Sequence, residues 1–528
     1  MGKLGAYLRF LCGLRGFLNT PITYPQATET LARRLAGRED SFLRLAKRCV
    51  YGNPSSPYLP LLKRAGCGYG DMADGVRRLG LEGLLRQLRD AGVWVSLDEF
   101  KGDQPICRGD LEAPVHSEDF RNPLVTAGFE VASGGTTRPS VRTPLDLDYL
   151  TERSAYEHLL FRMLEIHDVP VALWYPRLPA VTGVGNGLRY AKIGHPPSRW
   201  FCMLTDNEVR PGLESRLATA FIVWASRLTR FPLPHPERAT LRQAQVVLDW
   251  IRVNLRRHGR CVLQSYVSQA VRLCHAAIQK SLNLSGTQFI VGSEALSPAK
   301  FREIDSVGAK VFPRYMTTEA GTIGMGCGKP HEVGEYHLCS DAVAMIQDQA
   351  GTGEPSPFHF TSLREVTPRV MINVQLGDSG VAASRRCGCL LEELGFTTHL
   401  WHVSSFQKAT GEGMKVSARE LVRIAEEVLP KRFGGSSLDY QWVEQEDVNS
   451  LTRLLLRADP SLGPISEKEL VGVVLDEFRR AGAAGALTAQ MWRQAETIRV
   501  LREPPRQTST GKLVPLRPAR ANSPRGES

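Results

Sequence analysis

The spacing of apolar residues changes character along this 528-residue chain, and that change limits the fold most. Through residues 29–51, 75–91, 148–167, 213–229 and 237–258 they recur at helical spacing. After these helices the apolar runs shorten. Thr287-Gln288-Phe289-Ile290-Val291-Gly292 reads as a buried strand, and residues 342–347, 359–362 and 369–375 as further strands. Pro298 opens a short helix over 298–306. This order predicts an α/β fold with a more antiparallel final part.

The end of the chain reads as a separate unit. Residues 404–413 (SSFQKATGEG) are polar and contain glycine, which suits a hinge. A helix over 417–428 follows, with Ser417 and Glu420 at capping-box spacing. A strand over 451–457, a helix over 466–480 and a strand over 497–502 complete a small α+β domain. We therefore expect a large multi-layer N-terminal domain over 1–403, a linker over 404–413, a small C-terminal domain over 414–518 and a disordered tail over 519–528. The length agrees, because single domains cluster near ~100–200 residues.

Composition removes several classes. A hydrophobic content of 42% with 23% charged residues suits a globular protein with an ample core. No apolar run reaches the ~18 residues of a membrane span. Residues 1–18 mix Lys3, Arg9 and Arg15 with apolar side chains and read as a short helix rather than a signal peptide. The eleven cysteines mostly stand singly in apolar stretches (Cys49, Cys202, Cys261, Cys274), which favours a reducing, cytoplasmic setting. The net charge of +11 is spread over helical arginines. With no nucleic-acid module present, neither nucleic acid nor a membrane is an expected partner, whereas a polyphosphate such as ATP suits the charge.

Four segments carry residue types with chemical use. In Ser133-Gly134-Gly135-Thr136-Thr137 the glycines let backbone N–H groups close on an anion, and the hydroxyls add donors. No Gly-Lys-Ser/Thr follows, and composition alone favours a polar turn. Tyr315-Met316-Thr317-Thr318-Glu319-Ala320-Gly321 sets an aromatic ring, hydroxyls and a carboxylate close together, able to stack a base and offer hard oxygen to Mg²⁺. Asp378, after Gly377, can accept two hydrogen bonds from a ribose diol. Lys512 in Gln507-Thr508-Ser509-Thr510-Gly511-Lys512-Leu513 is a positive charge on a flexible loop. Each segment, taken alone, also reads as an ordinary loop.

Three further features have two readings each. Cys387-Gly388-Cys389 offers two thiolates to Zn²⁺ and Cys327 a third, while His331, His337 and Cys339 compete for the fourth place. Gly183-Val184-Gly185-Asn186-Gly187 mimics a nucleotide fingerprint at the wrong spacing and reads as a loop, one that can line an acyl pocket. Cys274 and His275 are helix neighbours that do not face each other, so they read as packing rather than a nucleophile pair.

Taken in order, the motifs resemble the adenylate-forming superfamily of acyl-CoA ligases and adenylation domains. More narrowly they look like the phenylacetate-CoA ligase group with its coenzyme F390 synthetase relatives. The resemblance runs over 56–517 and includes Ser56-Pro57-Tyr58, Leu61-Leu62 and Ala65-Gly66. It implies that Ser133, Gly134, Gly135, Thr136 and Thr137 hold the pyrophosphate end of ATP, and that Gly292 and Glu294 lie beside the adenine. Tyr315 would stack on the base, Thr318 contact phosphate, Glu319 carry Mg²⁺, Asp378 bind ribose and Lys512 serve as the adenylation lysine. The group also shows a Cys…His…Cys-x-Cys arrangement, with structural zinc in some members. Residues 336–341 (YHLCSD) match its His-x-x-x-Asp stretch, which prefers His337 beside Cys327, Cys387 and Cys389.

The implied reaction is activation of a small carboxylic acid to an acyl-adenylate, then transfer to the thiol of coenzyme A. Transfer to an acyl carrier protein or an amine is an alternative, as is a non-catalytic nucleotide-binding descendant. The oligomeric state stays open, a homodimer included. The chain departs from the family pattern at three places. Thr137 runs straight into Arg138-Pro139, one glycine short, so the loop is tighter and Arg138 stands where it can take over a phosphate contact. Asn373-Val374-Gln375-Leu376 replaces a stretch that normally carries arginines, and residues 403–408 lack the hinge arginine and aspartates.

Overall fold

The computed structural model describes residues 3–125, 129–132, 142–178, 180–203, 213–348, 355–405, 408–436, 438–506 and 516–517. A twelve-stranded sheet dominates the described residues, and its two halves differ. One half is parallel: Lys310–Thr317, Thr287–Gly292, Cys261–Tyr266, Val171–Trp174, Arg199–Cys202 and Pro236–Arg238. The other is antiparallel, running outward from Gly321–Gly326 through Tyr336–Leu338, Thr398–Ser405, Val374–Ser384, Ser356–Ser362 and Val343–Gln347. Helices supply the crossovers of the parallel half, as same-direction pairing requires. Its inner strands are covered on both faces: all of Cys261–Tyr266 is buried, Gln264 and Ser265 included.

A second sheet of four strands, Ile498–Leu501, Thr452–Ala458, Tyr440–Glu446 and Leu516–Arg517, carries the helices Glu467–Arg480 and Ala483–Ala495. Its core is continuous with that of the parallel half: Trp442, Phe478 and Trp492 belong to the same buried cluster as Leu263 and Ile290. A separate cluster packs the helices Tyr58–Arg64 and Tyr69–Asp90 against the antiparallel half. No described helix is long and apolar enough to cross a membrane.

Several elements differ from the sequence expectation. Residues 29–51 break at Gly37 into Tyr24–Ala36 and Arg38–Leu45, followed by a wider turn over Ala46–Tyr51. Residues 183–187 are not a loop but the interior of the buried helix Val181–Lys192. Gly183 is needed for contact, since a Cβ there would lie 2.4 Å from the Trp200 ring. The strand expected from residue 369 starts only at Val374. Asn373, with φ 50°, turns the chain first, a conformation asparagine tolerates. The helix over 237–258 shortens to Ala244–His258, because Pro236–Arg238 is the edge strand. Ser417 is an N-cap without a side-chain cap bond, and Glu420 is drawn instead to Arg423 at 2.8 Å. Much of the segment read as a linker is strand: Ser404 and Ser405 pair with Ser379 and Asp378, and Lys408–Gly411 forms a hairpin with Met414–Ser417.

Candidate functional site

The sheet changes from parallel to antiparallel at Lys310–Thr317, and in α/β sheets ligands bind beyond the carboxyl ends of the strands where topology switches. A cleft of about 310 Å³ opens there, between the large sheet and the four-stranded sheet. Glu294, Tyr315 and Asp378 line it from the large sheet, and Lys415 and Glu444 from the other side. Three residues chosen from separate sequence motifs thus meet at one place.

Local backbone explains how each arrives. Gly292 ends its strand where a Cβ would sit 3.1 Å from the Arg314 carbonyl oxygen, and Ser293 then turns through φ 67° to present Glu294. A register shift between Tyr315 and Met316 re-aims the tyrosine. Gly377 takes φ 78° inside its strand, and its carbonyl accepts a 3.0 Å bond from the Ser405 hydroxyl. That kink turns Asp378 towards Tyr315, whose hydroxyl donates to Oδ2 at 2.8 Å. Burial, reinforced by Asp378, raises the Tyr315 pKa well above its ordinary value, so the phenol stays protonated and donates. Next door, the Arg314 guanidinium bonds both oxygens of buried Glu157 at 3.0 and 2.8 Å, and Arg189 adds a 2.7 Å bond. This triad anchors the strand that carries Tyr315.

Glu294 is engaged from two sides. The Ser268 backbone N–H and hydroxyl donate to it at 2.8 and 3.0 Å, at the start of helix Val267–Ile278. The third donor is the Gly413 N–H, from the hairpin after the large sheet. Gly413 must be glycine: its φ is 73°, and a Cβ would strike the Tyr266 ring at 2.4 Å. Burial raises the Glu294 pKa, with Lys300 easing the shift. Further bonds join the two units. Arg272 pairs with buried Glu412 at 2.5 Å, and Lys300 bonds Thr452 at 3.0 Å and pairs with Glu446 at 3.4 Å. Burial pushes Glu444 up to about 7, with Glu294 and Glu446 adding to the rise and the Thr410 N–H and Lys300 opposing it.

The other expected residues divide. Thr318 and Glu319 lie half-buried in the turn after Lys310–Thr317, and Glu319 makes no hydrogen bond or ion pair with a described residue. Ser133, Gly134, Gly135, Thr136, Thr137, Arg138 and Lys512 lie outside the described residues. Lys300, Lys415 and Glu444 were missed. The one signal for Lys415 is alternation in Met414-Lys415-Val416, whose apolar members are the buried ones. Asn373 is buried and bonds the Leu85 and Val93 carbonyls at 2.8 and 3.1 Å, which ties three segments together.

A second constellation stands behind the cleft. Ligand atoms of Cys327, His337, Cys387 and Cys389 all lie within 4.8 Å of one another. His337 Nε2 is 3.5 Å from the Cys387 sulfur and 3.2 Å from that of Cys389, while Nδ1 meets the Phe396 carbonyl at 2.6 Å. The hydrogen bond with Cys327, and then that with His337, pulls the Cys389 thiol down, towards the thiolate a metal takes. Of the competitors for the fourth place, His331 is exposed and Cys339 is buried beside Tyr156 and Asp341.

No protein-family model matches the chain, and no curated protein matches it in sequence. Solved structures do. A 2-hydroxyisobutyryl-CoA ligase, bound to 2-HIB-AMP and CoA in the thioesterification state, is similar at 14% identity with a TM-score of 0.57, over 92% of this chain and 90% of that one. An o-succinylbenzoate CoA synthetase from Bacillus subtilis matches at 12% identity and a TM-score of 0.42, over 74% and 68%. An amide bond synthetase from Marinactinospora thermotolerans matches at 13% and 0.42, over 92% and 97%. The first likeness shows that the chain has the fold of an adenylate-forming acyl-CoA ligase, a large N-terminal domain followed by a smaller C-terminal one.

Proposed function

We propose that this protein activates a carboxylic acid with ATP, releasing pyrophosphate, and passes the acyl group to a thiol, that of coenzyme A. The observation that carries this reading is the convergence of Glu294, Tyr315 and Asp378 in one cleft at the sheet's switch point, within that fold. In the first half-reaction a carboxylate oxygen bonds to the α-phosphorus, the α–β phosphoanhydride bond breaks and pyrophosphate leaves. Tyr315 offers its ring to adenine and Asp378 its carboxylate to the ribose diol. Lys512, with Ser133, Gly134, Gly135, Thr136, Thr137 and Arg138, neutralises the charge that gathers on the phosphates. Glu319 and Thr318 stand at the turn where hard oxygen would hold Mg²⁺, which when bound draws charge off the polyphosphate. In the second half-reaction the thiol sulfur attacks the acyl carbon and AMP leaves.

The hydrogen bond from Gly413 to Glu294 fits the second half. With the small domain docked in this way, the hairpin Lys408–Gly411/Met414–Ser417 covers Glu294. The similar 2-hydroxyisobutyryl-CoA ligase is itself in its thioesterification state. Rotation about residues 404–413 would release Glu294 and bring Lys512 to the cleft. The narrower likeness to the phenylacetate-CoA ligase group rests on Ser56-Pro57-Tyr58, Leu61-Leu62 and Ala65-Gly66 and on Cys327, His337, Cys387 and Cys389. That set fits Zn²⁺, since three thiols and an imidazole with a fixed tautomer form a closed tetrahedral donor set. Zinc there would cross-link three segments and take no part in the chemistry.

The test uses purified protein, ATP and a panel of aryl and alkyl acids, with mass spectrometry for the acyl-adenylate. Coenzyme A, an acyl carrier protein and amines are then offered separately, and a thioester of coenzyme A is the expected product. Nucleotide binding without any adenylate would support the non-catalytic alternative.

A further inference from the structure

Helix Leu213–Ser226 has two faces with different surroundings. Ala218, Ile222 and Val223 are buried, and the helix packs beside Lys3–Asn19, whose Asn19 side chain accepts a 3.0 Å bond from the Arg230 N–H. The other face is in water. Leu217, Phe221, Trp224 and, just past the helix, Leu228 are 63%, 43%, 55% and 65% exposed. Spacings of four, three and four put them in one stripe, and the Phe221 and Trp224 rings touch at 5.6 Å. A single exposed leucine is ordinary; four large apolar side chains in line, two of them aromatic, mark a contact surface.

The sequence around the stripe is mainly basic, although Glu214 stands in the first turn of the same helix. Residues 215–236 contain Arg216, Arg227 and Arg230 and no acid, and the helix beside them lies in a stretch whose first acidic residue is Glu29. Arg15, Arg227 and Arg230 are exposed. A second copy of the chain would oppose arginines to arginines, and the outer surface of one helix is convex, with no groove for a peptide. Both features suit the boundary between lipid headgroups and acyl chains, where apolar side chains insert and arginines meet phosphate.

We propose that this face rests on an anionic lipid surface, with Leu217, Phe221, Trp224 and Leu228 inserted and Arg15, Arg227 and Arg230 on the headgroups. The helix lies in the plane of the membrane and spans nothing. The proposal departs from the expectation from the sequence that no membrane is a partner.

The full-length protein is sedimented with vesicles of phosphatidylcholine alone and with vesicles that also contain phosphatidylglycerol, at low and high salt. The expected result is at least about tenfold more binding to the anionic vesicles, weakened by salt. A Leu217→Ser/Phe221→Ser/Trp224→Ser variant, changed only at exposed positions, lowers that binding by at least about tenfold with its circular dichroism unchanged. Arg227→Glu with Arg230→Glu lowers it by about tenfold and flattens the salt dependence. Equal binding to both vesicles, no binding, or binding indifferent to the serine variant would overturn the proposal. So would a wild-type dimer that ignores vesicles and that the serine variant disperses, which would make the face a contact between copies.

Discussion

Tyr336 and His337 are neighbours in one strand and point opposite ways. His337 reaches the sulfurs of Cys387 and Cys389, while the ring of Tyr336 packs on Tyr315 at 5.9 Å. The Cys/His constellation is closed. Its donors face one another, and its nearest support is internal too: Glu335 takes bonds from Arg385 at 2.6 Å and His399 at 2.5 Å. The cleft is open to change. Asp378 is occupied by Tyr315, and Glu294 by a backbone group of the hairpin that follows the large sheet. One side of the strand is thus a fastening, and under the proposed function the other is a workplace whose groups would hold substitute partners until substrate displaces them.

If that contrast is right, the cleft depends on a group brought from outside, and losing it has the largest effect. Lys512→Ala lowers the acid-dependent rate of pyrophosphate formation by about 10²–10³-fold and leaves the melting temperature alone. The reverse pattern belongs to the knot. Cys387→Ser lowers bound zinc, measured by elemental analysis, from about one per chain to near zero and lowers the melting temperature, with little change in the KM for ATP. Equal zinc in variant and wild type would break the comparison on that side.

Removing the proposed ribose contact comes next. Asp378→Ala raises the KM for ATP by about tenfold or more, since it deletes hydrogen bonds to a charged group worth ~1.5–3 kcal/mol each. Tyr315→Phe keeps the ring but frees Asp378 from its substitute partner, so ATP affinity moves by only about threefold.

The smallest effect sharpens the account of the docked domain. The folded-state pKa of Glu444 is raised from 4.5 to about 7, so docking favours its protonated form. That contribution to stability is present below 4.5 and is lost as pH rises through about 7. Glu294, Glu446, Lys300, Lys415 and the Thr410 N–H surround it. The melting temperature therefore falls across this window, and Glu444→Gln flattens the fall. An equal slope in both proteins would show that Glu444 does not govern docking.

The parts legible in the sequence are those with local causes. Thr287–Gly292 is a strand because it is short, apolar and covered on both faces, whereas His337 is preferred to His331 and Cys339 only through the resemblance of YHLCSD to a family stretch. Positions decided by distant packing were not legible. Gly183, Gly185 and Gly187 look like loop residues until Trp200 lies against Gly183 and Leu233 and Leu173 against Gly187, which makes a helix the better fit. Asn373 looks like a strand residue until carbonyls from two other segments claim its amide. Lys300 and Glu444 enter the cleft only once the two units dock. The period of residues 213–229 shows that the helix has an apolar stripe, but not that part of it faces water.

The central claim is that the cleft joins a carboxylate to the α-phosphate of ATP. Exchange of labelled pyrophosphate into ATP, followed over a broad acid panel in the wild type and in Asp378→Ala, tests it most directly. The account predicts exchange that requires an acid and that weakens in Asp378→Ala through a higher KM for ATP. ATP that binds in the cleft but exchanges no label with any acid of the panel would contradict it.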